Sequence, residues 1–158
     1  CNHWNRCSPE ARVAHRRWVS ALYFRGKLPY AAAFGRPPVG WDGVQVIVPG
    51  RGLLPASTAI DLVALQEIAS VPVDLADDRY TAPLRRDAGR LAADLRVSDA
   101  VVLLGSLATP KYLEPLGDVL GARLRYPAEF VGMGDMSRGS LMLRCVAERR
   151  ELDYVRAN

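Results

Sequence analysis

Cysteine and histidine are both sparse in this chain, with three cysteines and two histidines among 158 residues. An odd, low count made of Cys1, Cys7 and Cys145 argues against a disulfide framework and fits a reducing compartment. Long apolar runs are missing too. Nothing approaches the roughly 18–20 residues of a membrane helix, and the Arg- and Trp-rich N-terminal region lacks the apolar core of a signal peptide. A cytoplasmic location without a membrane partner is therefore expected. Acids are nearly absent from the first quarter, where residues 1–40 hold seven Lys or Arg against the single acid Glu10, while residues 41–158 hold fourteen against sixteen. Internal repeats and low-complexity segments are lacking.

Several familiar motifs are also absent. Gly132-Met133-Gly134-Asp135-Met136-Ser137-Arg138-Gly139-Ser140 has Ser where a Walker loop needs Lys, and its third glycine comes two residues late for a dinucleotide fingerprint. The nucleophile elbow G-x-S-x-G is missing, with Gly105-Ser106 one residue out of that pattern. ATP hydrolysis, nicotinamide chemistry and serine hydrolysis all lose support.

What is present is a composition of 49% hydrophobic and 24% charged residues, enough to bury a core of ordinary single-domain size. Ser8-Pro9-Glu10 signals a helix start, and the spacing predicts a helix from about Pro9 to Arg25, ended by Gly26. Residues 28–43, rich in Pro and Gly, read as a connector. Val44–Val48 is nearly continuously apolar, as in a strand buried on both faces. Ser57 or Thr58 is placed to cap a helix over Ala59–Ala69, Val71–Leu75 reads as a short edge segment, and Thr81–Leu95 as an amphipathic helix. Ala100–Leu104 is a second buried strand. Thr109 and Pro110 then open a helix that Gly121 stops near Leu120. Leu124–Tyr126 makes a third strand before a helix over Ser137–Arg150. The fold class expected is α/β, a parallel or mixed central sheet with helices on both faces. Residues 1–43 form a basic aromatic helix and connector packed on an α/β domain of residues 44–158.

If the three strands run parallel, their C-terminal ends open on one edge, where such folds bind ligands. Helix starts there offer backbone N–H groups to anions. The loops bring Arg51, Ser106, Thr109, Lys111, Tyr112, Gly132, Gly134, Ser137 and Arg138 as ligand-binding candidates. Arg51, Lys111 and Arg138 are expected around one cationic hollow, Arg clamping a phosphate and Lys acting as a point charge. Among acids, Asp135 is the first catalytic candidate, ahead of Asp61 and Glu129, each with a plain alternative as a cap or ion-pair partner.

The N-terminal Arg12, Arg16, Arg17 and Lys27, interleaved with Trp4, Trp18, Tyr23, Phe24, Tyr30, Phe34 and Trp41, suit a nucleic-acid backbone. The same helix docked by its aromatics is the plain alternative. Cys1, His3 and Cys7 are zinc-type ligands, but three of them do not complete a tetrahedral site, so no cofactor is expected and zinc on these residues is the lesser alternative. Cys145 reads as a small buried hydrophobe. His15 stands among arginines that disfavour its charged form.

The run Val46-Ile47-Val48-Pro49-Gly50-Arg51-Gly52-Leu53-Leu54-Pro55, then Val101-Val102-Leu103-Leu104-Gly105-Ser106 with Lys111-Tyr112, then Pro127 with Phe130-Val131-Gly132-Met133-Gly134, resembles a group of small uncharacterised bacterial α/β domains. These are similar to YaaA-type peroxide-resistance proteins and to the uracil-glycosylase-like domain of archaeal tRNA-guanine transglycosylases. The resemblance spans about half the chain. It implies an α/β fold with a nucleic-acid or nucleobase-related role, marks Arg51, Gly52, Lys111, Tyr112, Gly132 and Gly134, and supplies no catalytic residue.

The function expected is association with nucleic acid or a nucleotide, with a phosphate or base received at the loop edge and base processing open. An enzyme or sensor for a small phosphorylated metabolite and a protein-docking module anchored by Trp4, Trp18 and Trp41 are the alternatives.

Overall fold

The structure, a computed structural model, describes residues 22–107 and 109–157, with side-chain surroundings from Arg25 onward. Residues 1–21, and with them the expected roles of Cys1, His3, Cys7, Arg12, His15, Arg16 and Arg17, lie outside the described residues. The protein mixes helix and sheet. Helix α1 spans Leu22–Phe34, strands β1 and β2 span Gln45–Val48 and Gly52–Pro55, and helices α2 and α3 span Leu62–Ala69 and Asp78–Asp94. Strand β3 (Val101–Val102), helix α4 (Pro110–Leu120), strand β4 (Leu124–Pro127), helix α5 (Asp135–Glu148) and strand β5 (Tyr154–Arg156) follow. No helix among the described residues is long and apolar enough to cross a membrane.

The first correction concerns α1, which runs through Gly26 and Pro29 to Phe34 instead of stopping at Gly26 and yielding to a connector. Proline inside a helix removes one hydrogen bond and crowds the preceding turn. Packing outweighs that cost here: Tyr30 is 1% exposed in a core with Phe130, Leu141, Met142, Cys145 and Leu152, and Phe34 packs on the same core. Gly26 lies against the Gly139 backbone, where a Cβ would sit 2.6 Å from the Gly139 carbonyl oxygen. The residue that reads as a stop is the point where two helices touch.

The second correction concerns the first strand. β1 pairs antiparallel with β2 from Gln45–Pro55 to Val48–Gly52, so Pro49-Gly50-Arg51 turns a hairpin and does not lead to a helix. Gly50 and Gly52 have φ of 76° and 83°, the left-handed region glycine enters without strain. The hairpin is pinned to α3, because the Leu53 N–H donates to Asp87 Oδ2 at 3.1 Å.

β3 and β4 are parallel, and β4 and β5 antiparallel, in a separate three-stranded sheet of order β3-β4-β5. The expected strand over 100–104 pairs only at Val101 and Val102, with the Leu103 N–H continuing to the Arg125 carbonyl at 2.8 Å. Residues 71–75 form no strand; Val71 and Val73 instead pack on a core built from Tyr80, Leu84, Ala88, Leu103, Leu116, Leu120 and Leu124. The amphipathic α3 supplies three of those residues, at the helical spacing its sequence shows. Asp61, not Ser57 or Thr58, caps α2 by accepting the Ala64 N–H at 2.8 Å. α4 matches its signals, with Thr109 at the N-cap, Pro110 first, and Gly121 leaving it at φ 52°.

Candidate functional site

Because β3 and β4 are parallel neighbours, the chain leaves both at the same edge of the sheet. The loop after β3 enters α4 and the loop after β4 enters α5, so two helix starts belong to that edge. The N-cap positions are Thr109, whose hydroxyl makes no capping bond, and Gly134, which has no side chain to make one. Backbone N–H groups in the first turn of a helix have no acceptor within the helix and carry its positive pole. Gly132, at φ 76°, turns the second loop.

The expected residues divide. Ser106, Thr109, Lys111 and Tyr112 come from the first loop and the start of α4, and Gly132, Gly134, Asp135 and Ser137 from the second loop and the start of α5. Lys111 is exposed, and its backbone carbonyl accepts the Tyr80 hydroxyl at 2.8 Å. Burial pushes the Tyr80 hydroxyl up to about 12. Tyr112 is half-buried on the α3–α4 core. Asp135 and Ser137 are exposed on the first turn of α5.

The expected ring of Arg51, Lys111 and Arg138 does not form as a set of open cations. Arg138 is 6% exposed. Its Nε and Nη2 donate to the Phe130 carbonyl oxygen at 3.2 and 2.9 Å, its guanidinium lies 5.4 Å from the Phe130 ring centroid, and Nη1 stands 3.6 Å from Asp135 Oδ1. This arginine holds the turn between β4 and α5 in place; it is a positioning group rather than a phosphate clamp. Arg51 lies on the hairpin and pairs with Glu67 at 2.7 Å.

A different cation joins the edge. Lys27 of α1, expected among the N-terminal nucleic-acid contacts, is half-buried where Asp135 and Arg138 act on it. Burial lowers its ammonium to about 8; Asp135 pulls the other way, and the Arg138 charge lowers it further. The sequence signal for this placement would have been Gly26 read as a helix contact point and not as a stop.

Glu129 is half-buried in the turn after β4, and its Oε2 is buried without a hydrogen-bond partner. Cys145 is a free thiol fully buried in the α1–α5 core, and burial pushes its pKa up. Among the described residues, no group of three His, Cys, Asp or Glu side chains is arranged to hold a metal ion. Trp41 is half-buried and donates to Asp94 at 2.8 Å. Ser57 faces an open cleft of about 400 Å³ between the end of α1 and the hairpin, lined by Ala31, Ala32, Gly35, Val44 and Ala56. The acid of that cleft, Asp42, accepts from Ser57, so it offers apolar surface and a carboxylate, unlike the edge at α4 and α5.

Compared with protein-family models, with curated proteins and with solved structures, the chain matches none.

Proposed function

We propose that this chain binds a nucleotide or a nucleic-acid strand through a phosphate held at the edge where β3 and β4 end. The observation that carries the reading is the pair of helix starts, α4 and α5, that follow two neighbouring parallel strands with no side-chain bond closing either one. Such starts stabilise anions by their N–H groups and dipole. Lys111 on one helix and Lys27 beside the other add positive charge. Asp135, solvent-exposed at the same edge, is the candidate for activating water if base processing follows binding.

The reading takes the three-stranded sheet as the centre of an α/β domain with helices on both faces. Its support is that Leu103 and Leu124 join the α3–α4 core, while Leu104 and Tyr154 pack on the α1–α5 core. The resemblance to YaaA-type proteins and the uracil-glycosylase-like domain agrees with a nucleobase-related ligand.

A compact phosphorylated metabolite is the second reading, favoured by one observation: Arg36, Arg51, Arg79, Arg85 and Arg86 are each paired with an acid, which leaves less open basic surface for a long polyanion. Titration of the protein with a mononucleotide and with a single-stranded oligonucleotide, at low and at physiological salt, separates the two. Oligonucleotide binding that falls steeply with salt and weakens on Lys111→Glu is the expected result. Mononucleotide binding alone selects the metabolite reading, and no binding of either at low salt overturns both.

A further inference from the structure

β4 is the middle strand of its sheet, and its register with β5 sets Arg125 directly opposite Arg156. On the other side of Arg125 stands Val102 of β3, which carries no charge. The Ala157 N–H donates to the Leu124 carbonyl at 3.0 Å, and the Ala128 N–H to the Asp153 carbonyl at 2.9 Å. Hydrogen-bonded and non-hydrogen-bonded pairs alternate along an antiparallel ladder, so Arg125 and Arg156 occupy a non-hydrogen-bonded position, where Cα atoms are about 4.5 Å apart and side chains come closest. Like charges directly opposite each other destabilise a sheet. Arg156 shares its face with Tyr154, two residues earlier, so both arginines belong to the face that carries the α1–α5 core. Among the described residues, neither forms an ion pair or a side-chain hydrogen bond that would offset the repulsion. Arg125 Nε is buried without a hydrogen-bond partner, a costly state for a charged donor. Glu129, the acid that follows β4, does not supply the acceptor, because its own Oε2 is buried and unpartnered.

We infer that Arg125 and Arg156 together bind a phosphate group on this face of the sheet, either free phosphate or the end of a phosphate monoester. A guanidinium donates through a planar fork, and two of them on adjacent strands offer two forks to one anion. A carboxylate is filled by a single fork. The end of a phosphate monoester has more acceptor oxygens and up to twice the charge, enough to engage both forks and offset both cations. Seated there, it accepts from the buried Arg125 Nε and removes the cross-strand repulsion. Arg125 is the second residue of β4, with Tyr126 and Pro127 between it and the end of the strand. The site therefore stands back from the α4 and α5 helix starts and does not rest on the reading proposed for them.

A titration of the isotope-labelled full chain, followed by NMR at constant ionic strength, tests this site and the helix starts separately. The probes are inorganic phosphate, glycerol phosphate and acetate. The Arg125 Nε–H signal reports the arginine pair, and the backbone amides of Lys111 and Ser137 report the helix starts. Saturable movement of the Arg125 signal with both phosphates, and none with acetate, is the expected result. Arg156 is exposed, and Arg156→Gln should raise the half-saturating phosphate concentration at Arg125 at least about tenfold. With the repulsion gone, that variant should also melt above the parent in chloride. Arg156→Glu, which sets a carboxylate opposite Arg125, should melt higher still and abolish the movement. An Arg125 signal that does not saturate, that responds equally to acetate, or that is unchanged in its response by Arg156→Gln overturns the inference. Movement confined to the amides of Lys111 and Ser137 overturns it while supporting the helix-start reading; movement confined to Arg125 does the reverse. Tighter binding of glycerol phosphate than of inorganic phosphate marks an ester as the ligand, equal binding marks phosphate itself, and either result supports the inference.

Discussion

The hydroxyls of Tyr30 and Tyr154, 124 residues apart in the chain, lie 2.7 Å from each other, and the Tyr30 oxygen also accepts the Leu152 N–H at 2.8 Å. A single buried oxygen on α1 thereby holds both the segment before β5 and a side chain of β5 itself. Burial raises the Tyr30 pKa, and raises that of Tyr154, where the bonds to Tyr30 and Glu151 add to the effect. Both hydroxyls therefore keep their protons at neutral pH, and the connection from α1 to the sheet is a hydrogen-bonded one.

Tyr30→Phe keeps the ring and removes that oxygen, leaving the Leu152 N–H without its partner. A loss of about 1–3 kcal/mol is expected. Urea denaturation should show a lower midpoint at unchanged slope; an unchanged midpoint would refute the role given to Tyr30.

Gly26→Ala sets two effects against each other. Alanine gains about 1 kcal/mol of helix propensity over glycine, whereas its Cβ meets the Gly139 carbonyl oxygen at 2.6 Å, a clash with backbone that costs about 1–3 kcal/mol. Net destabilisation is expected. Gly117→Ala in α4 is the control, because its Cβ meets nothing within 4 Å; that variant should gain up to about 1 kcal/mol. Thermal melts of the two proteins should shift in opposite directions.

Gly52→Ala meets strain and contact together. Its φ is 83°, and a Cβ there would press on the Asp87 carboxylate and on the Pro83 carbonyl. A loss of about 2 kcal/mol or more is expected, measured by chemical denaturation. A melt like that of the parent protein would show that the hairpin can lift from α3 at little cost.

Asp87 should make stability depend on acid. Burial raises its pKa, but Arg86, the Leu53 N–H and Arg90 together outweigh burial and hold it below the ordinary carboxylate value. A carboxyl that ionises more readily folded than unfolded contributes fully above the unfolded pKa and loses its contribution as pH falls through the folded one. The stability gap between the parent and Asp87→Asn should therefore be constant near neutrality and shrink as pH drops from about 5 to about 2. A gap that widens in acid would contradict the arrangement.

Arg138→Lys should destabilise by about 1–3 kcal/mol, since an ammonium cannot reproduce the forked pair of bonds to the Phe130 carbonyl or the stacking on its ring. Arg51→Ala removes an exposed ion pair with Glu67 and should change stability by no more than about 0.5 kcal/mol. Parallel denaturation curves decide whether the two arginines differ in this way.

Local signals were sufficient wherever the physics was local. Leu84, Ala88 and Leu91 recur at helical spacing and bury one face of α3, and Pro110 and Gly121 mark the ends of α4 because one presets a helical φ and the other relieves a positive one. The same kind of signal misled at Gly26 and Pro29, where burial of Tyr30 and the approach of Gly139 overrode the breakers. It misled again at Val44–Val48, whose apolar run resembles a doubly buried strand although only Val48 is fully buried; the positive φ of Gly50 and Gly52 folds it back into a hairpin.

From sequence alone came the mixed helix-and-sheet class and most helix positions, which follow from periodicity and from turn chemistry within a few residues, and the loops after Val48, Leu104 and Tyr126 as the places to look for a ligand, the first of which is a hairpin turn. Tertiary structure decided which charges those loops keep. Arg138 and Arg51 are lost to Phe130 and Glu67, and Lys27 is added from a helix more than a hundred residues earlier, because burial and pairing depend on neighbours in space that spacing along the chain does not encode.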